Sequence, residues 1–450
     1  MNQMFSPDTY RQRRKKLMQQ VATGLLLIYG NGESPRNFRA NPYAFRQDSN
    51  VLYFSGIVRP DVALLLDPAA GKSWLCGEEY GVEDAIWSGR QTSLAEWAEA
   101  GGLDGVLSLS ELRGHLAKAR GEVHYLPPYR CEHVARLSDW LGKSRAEIEA
   151  APSEPFIRAV VGQRSYKSGE EIEQIKAAVS ASMFMHDSVK ERCQPMVSSE
   201  EQLVALAESL ARNLAAGLAY PIILTTNGQI LHNHHYSFEP LPFEGLLLCD
   251  MGAETAMGYA GDITRTIPVA GHFTDREKDI FDLVKEAKEE AVKACKPGVP
   301  YREVHLLAST VIAEGLKELK LMKGDPEEAV AAGAHALFFP HGLGHMMGLD
   351  VHDMESLGED YVGYDEQVQR SEQFGLAYLR LGRALEPGFV ITVEPGIYFI
   401  PELISQWKAE KKHGNFINYS EVEKYLDFGG IRIEDDYLIT GQGAVNVLEA

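Results

Sequence analysis

Cysteine is scarce in this sequence. The five in 450 residues, Cys76, Cys131, Cys193, Cys249 and Cys295, are scattered, odd in number and without a CxxC pair. That argues against a disulfide framework and is expected of reduced, buried thiols in a reducing compartment. Positive charge is also short, with 44 basic against 64 acidic residues and a net charge of −20. A nucleic-acid partner is therefore not expected, since phosphate binding needs a basic face. No apolar run approaches the ~20 residues of a membrane span. The N-terminal stretch MNQMFSPDTYRQRRKKLMQQ has no apolar core of the signal-peptide kind, so a cytoplasmic protein is expected. Low-complexity tracts and short-period repeats are missing as well.

What remains is ordinary soluble composition, 45% apolar and 24% charged, in a chain long enough for two domains. The first part alternates strands and helices. GLLLIYG (24–30) and VALLLDP (62–68) read as buried strands, while YRQRRKKLMQQV, SLAEWAEAGG and LSELRGHLAKAR read as helices. RQDSNVLYFSGIVRPD (46–61) carries more polar residues than a simple core strand needs. The Pro-containing stretch APSEPFIRAVVGQRSYKSGEE breaks the pattern, placing a boundary near 155–165: a smaller α/β domain over 1–160 and a second domain over 161–450. In the second domain, Ser168 with Glu171, Ser198 with Glu201 and Thr274 with Glu277 have capping-box spacing before apolar-periodic runs. Gly217 is expected to stop the second of these helices, and a fourth helix follows Pro300. β-type segments at 219–227, 244–254, 258–270, 389–400 and 428–440 complete an α+β class, with helices on one side of a curved antiparallel sheet.

Asp250, Asp262, His345, Glu394 and Glu434 lie in or beside those β segments, in LLLCDMGAE, GYAGDITRT, HGLGHMMGLDVHD, VITVEPGIY and GGIRIEDDY. Four carboxylates and one imidazole form a mainly hard-oxygen ligand set that suits two divalent cations of the Mn/Zn/Co/Fe group. A carboxylate at the end of an apolar strand is costly to bury unless paired or metal-bound. Taken singly, each aspartate reads more simply as a cap or turn residue. Six of the 14 histidines fall in two short windows, His232, His234 and His235, then His341, His345 and His352. The glycines of HGLGH argue against a helix there, so its histidines are not a helical zinc motif.

These blocks resemble those of the pita-bread metallopeptidases, the family of methionine aminopeptidase, aminopeptidase P and prolidase. The likeness is closest to the proline-specific branch, and FRQDSNVLYFSGIVRPDVALLLD resembles that branch's N-terminal domain. The resemblance implies a pita-bread catalytic domain and hydrolysis of the bond before a proline in second position. It implies two divalent metal ions, most often Mn2+ with Zn2+, Co2+ or Fe2+ as alternatives, held by Asp250, Asp262, His345, Glu394 and Glu434. Asp262 and Glu434 would bridge the ions. Glu394 would shuttle protons, and His341 and His352 would stabilise the intermediate. His232, Arg432 and Arg380 would contact substrate, Arg380 by the carboxylate-binding arginine of prolidases.

Two activities fit, an Xaa-Pro aminopeptidase and an Xaa-Pro dipeptidase. The aminopeptidase is favoured as the broader activity, although Arg380 and the long 400–427 segment lean toward the dipeptidase. A non-catalytic pita-bread binding protein is disfavoured because all five ligand positions are filled. The resemblance also implies a homodimer or homotetramer acting on a peptide or dipeptide, with neither nucleic acid nor membrane as partner. Asp250 and Asp262 are twelve apart, one more than the family's usual spacing. The extra residue is expected in the turn ETAMG. Had it shifted the register, one aspartate would face away.

Overall fold

The computed structural model describes residues 4–119 and 122–450. Arg120, the last residue of one expected helix, and the first three residues of the N-terminal stretch lie outside it. The chain divides into two compact units, Met1–Arg164 with Met354–Tyr361, and Ser165–Asp353 with Val362–Ala450. Residue 160 falls inside the helix Glu154–Arg164. Membership of Met354–Tyr361 in the first unit makes both units discontinuous or interrupted in sequence, unlike the linear division at 160.

The first unit is built on a five-stranded sheet in the order Gly105–Leu107, Lys72–Cys76, Ala63–Asp67, Leu25–Tyr29, Val123–Tyr125. Its central pairs are antiparallel and its two edge pairs parallel. The apolar runs LLLIY and ALLLD are almost wholly buried, as strands covered on both faces must be. Within 46–61 the chain forms the helix Ser49–Ser55, in which every residue is buried. Asp48 starts it by accepting hydrogen bonds from the backbone N–H of Asn50 and Val51.

The second unit carries the helices Gly169–Arg192, Glu200–Leu214, Asp275–Ala294 and Tyr301–Glu318. Capping boxes Ser168/Glu171 and Thr274/Glu277 start two of them. The third box is Ser199/Gln202, one residue beyond the expected Ser198/Glu201, because the Ser198 hydroxyl donates to the carbonyl of Arg192 instead. That helix ends at Leu214; Gly217 opens a two-residue strand rather than closing the helix. The strands are antiparallel: Ile223–Thr225, Leu246–Asp250 and Thr264–Pro268 form one ladder, Val390–Val393, Asp435–Thr440 and Gly443–Asn446 a second, and Gly396–Tyr398 with Gly430–Arg432 a third. All five cysteines are free thiols, but Cys131 is exposed and Cys193 only partly buried, so not all are the buried thiols expected. Among the described residues, no helix is long and apolar enough to cross a membrane.

Candidate active site

The strand Leu246–Asp250 is buried throughout and pairs with Thr264–Pro268, placing Asp250 opposite Thr264. The same register continues past the strand ends. Met251 N–H donates to Ile263 O (3.1 Å), Gly261 N–H to Ala253 O (3.0 Å) and Thr255 N–H to Tyr259 O (2.9 Å). The reversal therefore lies at 255–259. Because side chains alternate along an unbroken ladder, Asp250, Asp262 and Thr264 share one face. The Tyr220 hydroxyl stands 2.6 Å from Asp250 Oδ1 and 2.5 Å from Asp262 Oδ1. One phenol has one proton and can donate to only one of them at a time.

His345 and Glu394 are brought together by backbone pairing. Thr392 N–H donates to His345 O (3.0 Å) and Glu394 N–H to Leu343 O (2.8 Å), so 343–345 lies along the end of the strand Val390–Val393. Gly344 permits that approach: a Cβ there would lie 2.2 Å from Thr392 O. His345 Nδ1 is 3.1 Å from the carbonyl of Met346 and donates to it, so in the neutral ring Nε2 carries the lone pair that a metal ion would take. That atom is 3.4 Å from Asp262 Oδ2 and 3.6 Å from Glu394 Oε1. Glu434 arrives from the third side, where its N–H donates to Thr264 O (3.1 Å) and its Oε2 accepts from the Thr264 hydroxyl (2.6 Å).

One ligand-type atom from each of Asp262, His345 and Glu434 lies within 4.8 Å of the others, all three residues buried. Asp250 flanks this group through Tyr220, and Glu394 through His345. Four carboxylates face one guanidinium, that of Arg432, which donates to Asp250 Oδ2, to the Tyr398 hydroxyl (2.8 Å) and through Nε to Thr264 Oγ1 (3.2 Å). Burial pushes the Glu394 carboxyl up to about 8, with Asp262 and Asp250 adding to the rise and Arg432 opposing it. Burial and the same crowding carry Glu434 well above the carboxylate range. Asp262 goes the other way: burial raises it, but the hydrogen bond and charge of His345 outweigh that. Such a concentration of oxygen donors, short of positive charge, fits divalent cations.

The group lies in a cavity of about 460 Å³ whose lining also includes His232, His341, His352 and Arg380. His341 Nδ1 donates to the carbonyl of Gly342 (2.8 Å), and Nε2 accepts from the Tyr398 hydroxyl (2.9 Å). Burial, reinforced by Arg432, depresses this imidazole to about 3 and keeps it neutral. His352 packs edge-on against His345, with ring centroids 4.3 Å apart. His232 sits near His234, whose Nδ1 is 3.0 Å from Ile222 O. His235 is not among the lining residues.

The profile of metallopeptidase family M24 matches residues 173–441, and that of the aminopeptidase P N-terminal domain matches 10–125. A probable Xaa-Pro aminopeptidase of Fusarium vanettenii is 32% identical over 95% of this chain and 89% of its own length. The chain belongs to metallopeptidase family M24. It is similar over 99% of its length to Pseudomonas aeruginosa aminopeptidase PepP, at 28% identity, TM-score 0.81 and 95% coverage of that chain. It is equally similar to zinc-substituted Escherichia coli aminopeptidase P in complex with product, at 30% identity, TM-score 0.81 and 96% coverage of that chain. The pita-bread fold expected of the second domain is thus the observed one, and M24 membership implies divalent metal ions as cofactors.

Four polar residues of the site were not singled out in the sequence: Tyr220, Thr264, Tyr398 and Asp436. Asp436 is buried and accepts from the Asp262 N–H through Oδ2 (3.0 Å). Its signal was available, since Glu434 and Asp436 are two apart in a β-type run and so share a face. Tyr220, 30 residues before Asp250, has no such local signal.

Proposed function

We propose that this chain is a metal-dependent Xaa-Pro aminopeptidase that removes the first residue from peptides with proline in second position. The observation that carries the reading is the buried convergence of Asp262, His345 and Glu434, with Asp250 and Glu394 beside them, in the wall of an open cavity. These five residues would hold two divalent ions, with Mn2+ the first choice for a set dominated by carboxylates. Ions bound there supply Lewis acidity and make a water acidic enough to attack at neutral pH.

The chain's own groups account for the rest. Proline has no N–H and a fixed φ, so the scissile bond needs a dedicated pocket. Glu394 would take the proton of the attacking water and deliver it to the proline nitrogen, a task suited to a carboxylate at the edge of the cluster facing the cavity. His352 would face the carbonyl oxygen as charge develops on it, while His341, whose one N–H is held by the Gly342 carbonyl, would contact the substrate from the cavity wall. The amine of a free N-terminus would bind beside the ligand carboxylates, which accounts for exopeptidase action. Arg432 opposes the upward push that burial and Asp262 give the Asp250 carboxyl.

Arg380 in the cavity wall supports a second reading, a dipeptidase that grips the substrate's C-terminal carboxylate. Metal-stripped protein reloaded with Mn2+ and given Gly-Pro and Xaa-Pro-Yaa tripeptides separates the two. Tripeptide cleavage supports the aminopeptidase; cleavage of dipeptides alone, lost in Arg380→Ala, overturns it. A homodimer or homotetramer goes with this reading and is tested by light scattering on the eluting protein.

A further inference from the structure

The two aspartates sit where the regular strands end and their cross-strand pairing runs on toward the turn. The strands end at Asp250 and Thr264, and the arms beyond them, 251–254 and 260–263, keep the same register and are bonded in addition to the helix Gly169–Arg192. On the helix Gly169–Arg192, the buried imidazole of His186 stands with Nε2 2.9 Å from Ile263 O and 3.2 Å from Met251 O. Met251 follows Asp250 and Ile263 follows Asp262. Both neighbours of Nε2 are acceptors, so that nitrogen carries the proton and shares it between the two carbonyls. Burial, with Arg265 adding to it, lowers the imidazole to about 4, so the donor is a neutral ring at neutral pH.

One turn earlier on the same helical face, the Ser182 hydroxyl accepts from Ala253 N–H (2.9 Å) and donates to Ala178 O (2.8 Å). The opposite arm lies flush on the helix as well: a Cβ on Gly261 would be 2.8 Å from Val179 N. Helix backbone, Ser182 and His186 thus grip both arms of the hairpin within three residues of each aspartate.

We propose that His186, assisted by Ser182, is a positioning residue that fixes the separation of Asp250 and Asp262 by bridging the carbonyls that follow them. The inference rests on the reading of both aspartates as metal ligands. It differs from the bland role of a core histidine, which would support the fold without setting the metal site. A carboxylate pair that must converge on shared cations has little tolerance for splaying, and groups that orient ligands commonly govern affinity by 10–100-fold.

The test compares His186→Met, which keeps bulk and removes the donor, with His186→Gln, which keeps an N–H. Metal-stripped proteins, shown folded by circular dichroism, are titrated calorimetrically with Mn2+, and melting is recorded with and without the metal. The expected result is an Mn2+ affinity at least ~10-fold weaker in His186→Met, with a smaller metal-induced rise in Tm and substantial recovery in His186→Gln. Ser182→Ala should lose affinity in the same direction by less. Wild-type affinity in His186→Met overturns the inference, even if its metal-free Tm falls. Should His186→Met not fold, weaker Mn2+ binding by Ser182→Ala supports the inference and unchanged binding overturns it. If the wild-type protein binds no Mn2+, the ligand reading itself fails and the positioning role falls with it; normal wild-type binding with unaffected variants sinks the positioning role alone.

Discussion

Glu434 and Asp435 are consecutive and both largely buried, yet their surroundings are opposite. Asp435 meets two cations, Arg265 and Lys288. Burial raises its pKa, but the two positive partners outweigh that and hold it below the usual range. Glu434 turns to the other face, where Asp262, Glu394 and Asp250 reinforce the effect of burial and drive it well above. Because side chains alternate along an extended chain, one peptide bond separates a paired ionic cluster from a crowded one. The paired cluster is complete as protein. The crowded one has Arg432 alone against four carboxylates, and we propose that cations complete it. Buried carboxylates alone therefore do not identify a metal site; unbalanced ones do.

Four perturbations should sharpen this contrast. Asp262→Ala removes a central member of the crowded cluster; metal titration should show lost binding, and peptide hydrolysis should fall by ~10³-fold or more. His352→Ala should lower kcat by roughly 10²–10³-fold while leaving metal stoichiometry intact, since this ring faces substrate. In the paired cluster, Asp435→Asn should act on stability instead: it strands Lys288 and Arg265, costing about 3 kcal/mol in a denaturant melt with bound metal per chain unchanged.

The smallest effect is on pH dependence. A carboxyl whose folded pKa is raised binds its proton more tightly when folded. The stability it contributes is present below its unfolded value of 4.5 and is lost as pH rises through about 8, for Glu394. Metal-free protein should therefore melt lower, by at least ~3 °C, at pH 8 than at pH 5, and Mn2+ should remove the difference by replacing the protons. Asp435 has the reverse sign: its contribution is present above its unfolded value of 3.8 and is lost only as pH falls through its lower folded value.

Much of this was legible in the sequence because it is written in local patterns. The ligand-type residues sit in short glycine-rich or β-type blocks, and capping pairs such as Ser168/Glu171 and Thr274/Glu277 mark the helices. Features decided by contact were not legible. Tyr220 matters because a distant hairpin carries two aspartates to its hydroxyl. Ser49–Ser55 is a buried helix whose aromatic and β-branched residues also suit a strand; burial on all sides erases the periodicity that would tell them apart. Ser198 looked like a cap, but its hydroxyl is engaged by the preceding helix end. The Asp250–Asp262 spacing needed the register itself, since an even separation places both on one face only while the ladder stays unbroken.

The most direct test strips the protein of metal, adds Mn2+ in steps and follows both bound metal and cleavage of an Xaa-Pro-Yaa tripeptide. The account predicts no cleavage without metal, activity that rises as the cluster fills, and saturation near two ions per chain. Tripeptide cleavage by the metal-free protein, or a fully folded protein that takes up no divalent ion, would contradict it.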